Sequence, residues 1–242
     1  ELGIGELIDK LIPQDWEKRN VSIGQAVKAM VLNGLGFANR ALYLMPLFFL
    51  DKPVGRLVGE GIEAEHLNDD VLVRALDAIY KYGPSELYPQ LAMQATKTLG
   101  LLTRFGHMDS TGFHVDGQYN SDEEPEEGVI HITKGYSRDH RPDLNQVVLQ
   151  LVSERQAGIP LLMQTLNGNN SDKDSFREMV DAFAEQMRGG FGIEYLIADS
   201  ALYSAENLKA MSAIKWITRV PETLGLACDV IDVLAPELMR DP

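Results

Sequence analysis

The hydrophobic periodicity of the chain changes near residue 100, and this change restricts the possible folds more than any other feature. Before that point, apolar residues recur every three to four positions, as in helices packed on a core. Beyond it, apolar runs are short and bounded by turn residues, as in strands. The sequence therefore predicts an all-helical domain over residues 1–100 and an α/β domain over residues 101–242.

Helix start signals support the helical prediction for the first part. Ser22 and Gln25 have the spacing of a capping box. The acidic pair at 69–70 fits the N-terminus of a second helix, and Pro84 fits the first turn of a third. The segment 41–55 is too apolar to be exposed, so we interpret it as core.

The second part contains two predicted hairpins. One consists of RFGHMDS and FHVDGQ around a Gly-marked turn, and the other of VVLQLVSE and IPLLMQTL around RQAG. A helix should follow, beginning at a capping box of Ser171 and Asp174 and carrying an apolar stripe from Phe176 to Met187. We interpret IEYLIADS as a strand buried on both faces. A short helix starting at Ser204 then leads to the last strand, KWITRVP.

The order strand, strand, strand, helix, strand, helix, strand describes a ribonuclease-H-like mixed sheet flanked by helices, with the first and fourth strands side by side. Asp109 lies on the first strand and Asp199 at the end of the fourth. Their carboxylates should therefore face each other. Like charges held close favour a cation between them, and hard oxygen ligands suit Mg²⁺ or Mn²⁺. The chemistry expected of such a site is two-metal phosphoryl transfer.

The segment GHMDSTGFHVDG at 106–117 concentrates two imidazoles and two carboxylates. On a strand, Phe105, His107 and Asp109 share one face, which we take to be the buried face. A buried carboxylate needs a partner or a cation. The residues also leave open a turn aspartate that only hydrogen-bonds to its own backbone.

The net charge of −14 argues at first against a nucleic-acid partner, because affinity for DNA comes largely from Lys and Arg. Much of the acidic excess, however, lies in SDEEPEEG at 121–128, which is interpreted as a solvated loop. The densest basic stretch of the second part contains Lys134, Arg138, His140 and Arg141. It is either a solvated loop with local salt bridges or a phosphate contact.

Cysteine usage and hydropathy indicate the compartment. The single Cys228 excludes an internal disulfide framework and a multi-cysteine zinc site. No apolar run approaches the length of a membrane helix, and no signal sequence is evident at the start. We expect a cytoplasmic protein.

Four segments, in this order, resemble the blocks of DDE transposases of bacterial insertion sequences: GHMDSTGFHVDG, GYSRDHRPDLNQ, GNNSDKDSF and LIADSALYSAENL. The helical part, with VSIGQAVKAMVLNGLGF, is similar to the N-terminal domain of a subgroup of them. The resemblance implies that Asp109 and Asp199 bind the catalytic metals. It also implies DNA cleavage and strand transfer at the element's terminal repeats, by a homo-oligomer associated with the bacterial nucleoid.

The chain departs from this family at its third carboxylate, a Glu in the pattern Tyr-x2-Arg-x3-Glu-x6-Lys. The pattern does not occur in this sequence, and Glu222 and Glu237 lack the Tyr and Arg at the required offsets. We therefore expect the catalytic domain to stop within the insertion that precedes the Glu helix. The 242-residue chain should then be inactive in strand cleavage.

Two other functions are compatible with the sequence. His107, Asp109, His114 and Asp116 could form a compact zinc or iron cluster across the first hairpin, as in a metallohydrolase of small phosphates. That interpretation leaves IADS and GYSRDHRPD unexplained. The third possibility is an inactive transposase remnant that binds DNA or protein.

Overall fold

The computed structural model describes residues 2–35, 40–117, 119, 128–137, 140–170, 172–211, 214–221 and 223–240. The chain divides into two compact units, Glu1–Gly100 and Leu101–Pro242. The first is helical, and the second combines a five-stranded mixed sheet with helices. The predicted fold class, a mixed α/β sheet flanked by helices and preceded by a helical region, is confirmed.

The helices that begin at residues 23, 69 and 84 start where the sequence signals place them. The Ser22–Gln25 capping box is present, with the Gln25 backbone N–H donating to Ser22 Oγ and the Ser22 N–H donating to Gln25 Oε1. The helices are α1 (Ile4–Leu11), α2 (Ile23–Gly34), α3 (Met45–Phe49), α4 (Val54–Leu57), α5 (Asp69–Tyr82) and α6 (Pro84–Leu99).

Asp9 anchors the start of α2 against α1. Its carboxylate accepts hydrogen bonds from Ser22 Oγ at 2.6 Å, from the Gly24 backbone N–H at 2.7 Å and from Gln14 at 2.9 Å. The two helices approach so closely that a Cβ on Gly24 would lie 2.0 Å from the carbonyl oxygen of Gly5. This crossing therefore requires glycine at position 24.

The interpretation of residues 41–55 as core is only half right. Met45 and Phe49 are fully buried, whereas Leu47 and Leu50 are 62% and 68% exposed. Both buried residues belong to α3, and a helix this short presents one side to the core and the other to solvent. The two prolines of the segment lie at the starts of α3 and α4.

The sheet of the second unit has the strand order β3-β2-β1-β4-β5. β1 pairs antiparallel with β2, and β2 with β3, whereas β1–β4 and β4–β5 are parallel. The first and fourth strands are therefore neighbours, as predicted. The strands are β1 (Phe105–Val115), β2 (Asn145–Glu154), β3 (Pro160–Leu166), β4 (Tyr195–Ala198) and β5 (Lys215–Thr218).

The prediction of a hairpin within residues 104–118 is wrong. β1 is one continuous strand through Gly112, paired with β2 from Gly106↔Glu154 to Val115↔Asn145. Eleven residues in register with a ten-residue neighbour leave no room for a turn at Ser110–Gly112. The second hairpin, β2 to β3 around RQAG, is confirmed.

The two faces of the sheet differ in burial. On the covered face, Met108, Val152 and Leu196 are at most 3% exposed. On the open face, none of the residues of β1, β2, β4 and β5 is buried, and this face includes Phe105, His107, Asp109, Leu151, Tyr195 and Ile197. The predictions that Asp109 lies on the buried face and that β4 is buried on both faces are therefore wrong.

The helices of the second unit follow β3 and β4. α7 (Asp172–Glu185) carries the predicted stripe, with Phe176, Met179 and Phe183 all buried, and ends in a π-turn at Gln186–Gly190. Because the buried side chains of β1, β2 and β4 all lie on the covered face, we assign this stripe to it. Ser171, half of the predicted capping box, lies outside the described residues.

Two further helices complete the unit, α8 (Ala205–Ala210) and α9 (Gly225–Leu238). Ser204 caps α8 as predicted, accepting a hydrogen bond from the Asn207 N–H. Across the described ranges, no helix is both long and apolar enough to cross a membrane.

Candidate functional site

The parallel pairing of β1 with β4 determines where Asp109 and Asp199 lie. The paired residues Phe105↔Tyr195 and His107↔Ile197 share one register. Continuing this register by two residues places Asp199 opposite Asp109. Neighbouring strands are about 4.8 Å apart, and residues opposite each other in a sheet project to the same face. The pairing itself ends at His107↔Ile197, and its continuation would set the two carboxylates side by side on the open face, just beyond the end of β4.

The backbone around each aspartate is held by hydrogen bonds. The Ser110 N–H donates to Asp109 Oδ1 at 2.8 Å. The carbonyl oxygen of Asp199 accepts from Thr218 Oγ1 at 2.5 Å and from the Leu202 N–H at 3.2 Å, where the chain leaves β4. Both side chains are exposed. The hydrogen bond from the Ser110 N–H is of the kind expected for a turn aspartate, although Asp109 lies on a strand.

An aromatic and cationic cluster lies on the open face at the opposite end of the β1–β4 pair. The rings of Phe105 and Tyr195 stack with centroids 5.3 Å apart. The Arg104 guanidinium and the Lys215 ammonium lie 5.4 and 5.1 Å from the Tyr195 ring. Arg104 also pairs with Glu194 at 3.0 Å, and this partner raises the pKa of the guanidinium.

His107 separates this cluster from Asp109 on the open face. Its Nε2 atom is buried and has no hydrogen-bond partner among the described residues. A buried imidazole nitrogen without a partner is uncommon, because its desolvation is not compensated.

The donor chemistry of the two aspartates suits a hard divalent cation. Carboxylate oxygens are the usual protein ligands of Mg²⁺ and Mn²⁺, and Mg²⁺ requires six ligands. Within the described part of the chain, however, no group of three or more His, Cys, Asp or Glu residues is arranged to hold a metal. Asp109 and Asp199 could therefore supply only part of a coordination shell.

The compact cluster of His107, Asp109, His114 and Asp116 is not formed. His107 and His114 are seven residues apart on one extended strand, roughly 24 Å at about 3.4 Å per residue. Their odd and even positions also place them on opposite faces. The cluster was predicted from a hairpin that does not exist, so the metallohydrolase interpretation loses its geometric basis.

The basic segment lies beyond the C-terminal end of β1, whereas the aromatic cluster lies at its N-terminal end. Lys134, His140 and Arg141 are exposed, and Arg138 lies outside the described residues. Arg141 donates from Nε and Nη2 to the two carboxylate oxygens of Asp143, at 2.9 and 2.8 Å. This pairing lowers the pKa of Asp143 to about 2. The predicted local salt bridge is therefore present at Arg141.

Gln146, which the sequence analysis did not single out, holds the basic segment against the sheet. It is 2% exposed, and its Nε2 donates to the carbonyl oxygens of Gly168 and Tyr136 at 2.7 and 3.1 Å. A Cβ on Gly168 would lie 2.1 Å from the Gln146 carbonyl oxygen. The sequence feature that could have identified Gln146 is a polar residue at a strand position where the alternation predicts a buried side chain.

The two glutamates considered as a third carboxylate remain untested. Glu222 lies outside the described residues. Glu237 falls within α9, and its side chain is likewise not described. Asn167–Asn170 forms a turn, as predicted, with the Asn170 N–H donating to the Asn167 carbonyl at 3.0 Å.

Comparison with known proteins identifies a family model for the first part of the chain and solved structures for the fold. A model described as a domain of unknown function, DUF4277, matches residues 1–93. No curated protein sequence matches the chain. The piggyBac transposase, in a synaptic complex with hairpin DNA, is similar with a TM-score of 0.51 and 8% identity, over 96% of this chain and 52% of that chain.

Two structures of the Mos1 transposase are similar at lower scores. A paired-end complex with the left transposon end has a TM-score of 0.31 and 6% identity, over 85% of this chain and 61% of that one. A Mos1 mariner paired-end complex with Mn has a TM-score of 0.31 and 10% identity, over 77% and 60%.

The chain spans about half the length of the piggyBac transposase. Because the identity is only 8%, this likeness concerns the fold alone. The chain thus has a fold similar to that of the piggyBac transposase, with β1, which carries Asp109, paired in parallel with β4, after which Asp199 follows.

Proposed function

We propose that this chain is the helical N-terminal domain (1–100) and the catalytic domain (101–242) of a DDE transposase of a bacterial insertion sequence. Its reaction would be metal-dependent DNA cleavage and strand transfer at the ends of the element. The observation that carries the proposal is the parallel β1–β4 pairing, whose register, continued by two residues, would set Asp199 opposite Asp109. The similarity of the fold to that of piggyBac transposase supports it.

Asp109 and Asp199 would hold Mg²⁺ or Mn²⁺, as the two hard carboxylate donors of the open face. Such an ion, when bound, activates an attacking hydroxyl and stabilises a leaving oxygen in phosphoryl transfer. The role of the chain is positioning. Thr218 and Leu202 hold the Asp199 backbone, and Ser110 holds one oxygen of Asp109. Positioning is effective because phosphoryl transfer depends mainly on aligned groups and charge stabilisation.

The basic segment would contact the DNA backbone through Lys134, Arg138, His140 and Arg141. Arg141 already shares its charge with Asp143, so we assign it a smaller part than Lys134. Gln146 orders the segment by its two bonds to backbone carbonyls. The protein would act as a homo-oligomer on DNA, in the nucleoid-containing cytoplasm.

Binding of Mn²⁺ tests the site independently of activity. We expect the chain to bind Mn²⁺ weakly, with a Kd of roughly a millimolar or above, because two carboxylates leave most positions to water. Asp109→Asn and Asp199→Asn should each weaken binding further, whereas Asp116→Asn, an exposed aspartate just after β1, should not. Electron paramagnetic resonance of free Mn²⁺ gives the affinity.

Strand cleavage tests the activity, with the protein translated from the whole reading frame and a duplex carrying the ends of the element. Asp109→Asn and Asp199→Asn should each lower the rate by orders of magnitude with little change in Tm, and Asp116→Asn should retain the rate. Full cleavage by the Asp199→Asn protein would contradict the assignment of the site. DNA binding without cleavage in the unsubstituted protein would favour the inactive remnant.

A further inference from the structure

A cavity of about 410 Å³ in the first unit is lined by two arginines that belong neither to the proposed metal site nor to the basic segment. Arg19 precedes α2, and Arg74 lies on α5. Both residues line this cavity together with residues of the start of α5 and of the turn before it. The remaining lining residues are Asp15, Asn20, Val21, Glu65, His66, Asn68 and Val71.

Neither guanidinium is paired within the described part of the chain. Glu65, whose carboxylate lines the same cavity, forms no ion pair with Arg19 or Arg74 among the described residues. The Asp15 carboxylate accepts the Glu17 N–H at 3.2 Å, capping a short helical turn. The ten N–H donors of two guanidinium groups are therefore left to solvent or a ligand.

The other polar groups of the cavity are already arranged. Asn68 caps α5 by accepting the Val71 N–H at 3.1 Å, and its amide donates to the Glu65 carbonyl at 3.3 Å. His66 Nδ1 accepts the Glu63 N–H at 3.1 Å. A neutral imidazole bonded in this way carries its proton on Nε2, so His66 offers one more donor. Hydrogen bonds within the protein thus already orient Asn68 and His66.

We propose that this cavity binds a phosphate group through Arg19 and Arg74. A guanidinium presents parallel N–H donors that match two oxygens of one anion. Each oxygen of a phosphate or phosphodiester group accepts more than one hydrogen bond, so one such group can accept from two forks at once. Two unpaired arginines in one cavity therefore suit a phosphate group.

The phosphate could belong to a nucleic-acid backbone or to a free phosphate, and the two sources share this chemistry. The inference does not depend on the carboxylates of the second unit, so it can fail or hold independently of the proposed strand cleavage. Asp109→Asn, which removes one proposed metal ligand, should leave phosphate binding at Arg19 and Arg74 unchanged.

Binding by the full 242-residue chain tests the proposal. Fluorescence anisotropy would measure affinity for two short duplexes of unrelated sequence, and calorimetry would measure affinity for inorganic phosphate. Replacing both arginines, as Arg19→Ala with Arg74→Ala, should weaken binding about tenfold or more, because hydrogen bonds to a charged group are lost. The loss should be equal for both duplexes, since a phosphate contact does not read sequence.

The matched control removes two arginines that lie outside the cavity, as Arg40→Ala with Arg56→Ala. Both are exposed residues of the same unit, so the change in net charge is identical. The control should retain affinity within about twofold. If circular dichroism shows that the Arg19→Ala with Arg74→Ala protein is unfolded, the Arg19→Lys with Arg74→Lys protein is measured instead. That pair keeps the charge but loses the fork, and should still weaken binding.

The results separate the two sources. Dependence on the arginine pair for both the duplexes and inorganic phosphate identifies a nucleic-acid backbone contact, and dependence for inorganic phosphate alone identifies a free phosphate. Equal losses in the cavity and control variants would overturn the proposal, because they would show only a general effect of charge. It would equally be overturned if neither ligand depended on the arginine pair.

Discussion

The two faces of the sheet in the second unit carry polar residues in different ways. On the covered face, Gln146 and Glu154 are at most 2% exposed, and both side chains are bonded to backbone groups. On the open face, Asp109 and Asp199 remain exposed. Gln146 and Glu154 therefore maintain the fold, whereas Asp109 and Asp199 lie at the protein surface.

The largest expected effect compares one residue on each face of β4. Leu196 is fully buried on the covered face, whereas its neighbour Ile197 is only partly buried on the open face. Leu196→Ala should lower the free energy of unfolding by about 2–5 kcal/mol, through lost burial and a cavity. Ile197→Ala should cost about 1 kcal/mol or less, since less area is withdrawn from water. Denaturant unfolding measures both.

Equal losses of unfolding free energy in these two variants would contradict the difference in burial between the two faces. They would mean that the open face is covered in solution, for example by a second copy of the chain. Analytical ultracentrifugation of the Ile197→Ala protein would then show whether an assembly had been lost.

An intermediate effect is expected from Glu154, which ends β2 on the covered face. Its carboxylate accepts the N–H groups of Gln156, Ala157 and Ile159 at 2.5, 2.8 and 2.9 Å. Burial alone would raise its pKa, but these backbone donors outweigh burial, and the pKa is lowered. Glu154→Gln should cost roughly 1.5–3 kcal/mol at neutral pH, because bonds to a charged acceptor are lost.

The contribution of Glu154 depends on pH in a defined direction. A carboxylate whose pKa is lower in the folded state stabilises the protein fully above its unfolded pKa of about 4.3. That contribution is lost as the pH falls through the folded pKa. The difference in Tm between the natural protein and Glu154→Gln should therefore shrink on acidification below about pH 4. A constant difference between pH 7 and pH 3 would contradict this account.

The smallest expected effect concerns the exposed pair Arg141–Asp143. The Arg141 guanidinium holds the pKa of Asp143 at about 2, mainly through their hydrogen bond. Arg141→Ala should return the Asp143 pKa toward its ordinary range, as followed by carboxyl chemical shifts in an NMR titration. The Tm should hardly change, because exposed ion pairs contribute little to stability. A pKa that stayed near 2 would show that another group holds Asp143.

Features decided by neighbouring residues were predicted correctly, whereas features decided by contacts between distant residues were not. Helix starts at Ser22 and Ser204 were predictable because capping is decided within four residues of sequence. The error at Ser110–Gly112 arose because these turn-prone residues are extended by pairing with β2, which is remote in sequence. Glu154 and Gln146 were missed as structural residues, because their partners are backbone groups in turns and loops.

The sequence by itself determined the change from helices to a mixed sheet near residue 100 and the order of the elements from β2 to β5. Periodicity and capping are local, so they can be recognised in a short window of residues. Only the tertiary structure decided which face of the sheet is covered, because alternation along a strand defines two faces but does not say which one packs. For this reason Asp109 was predicted on the correct strand but on the wrong face of the sheet.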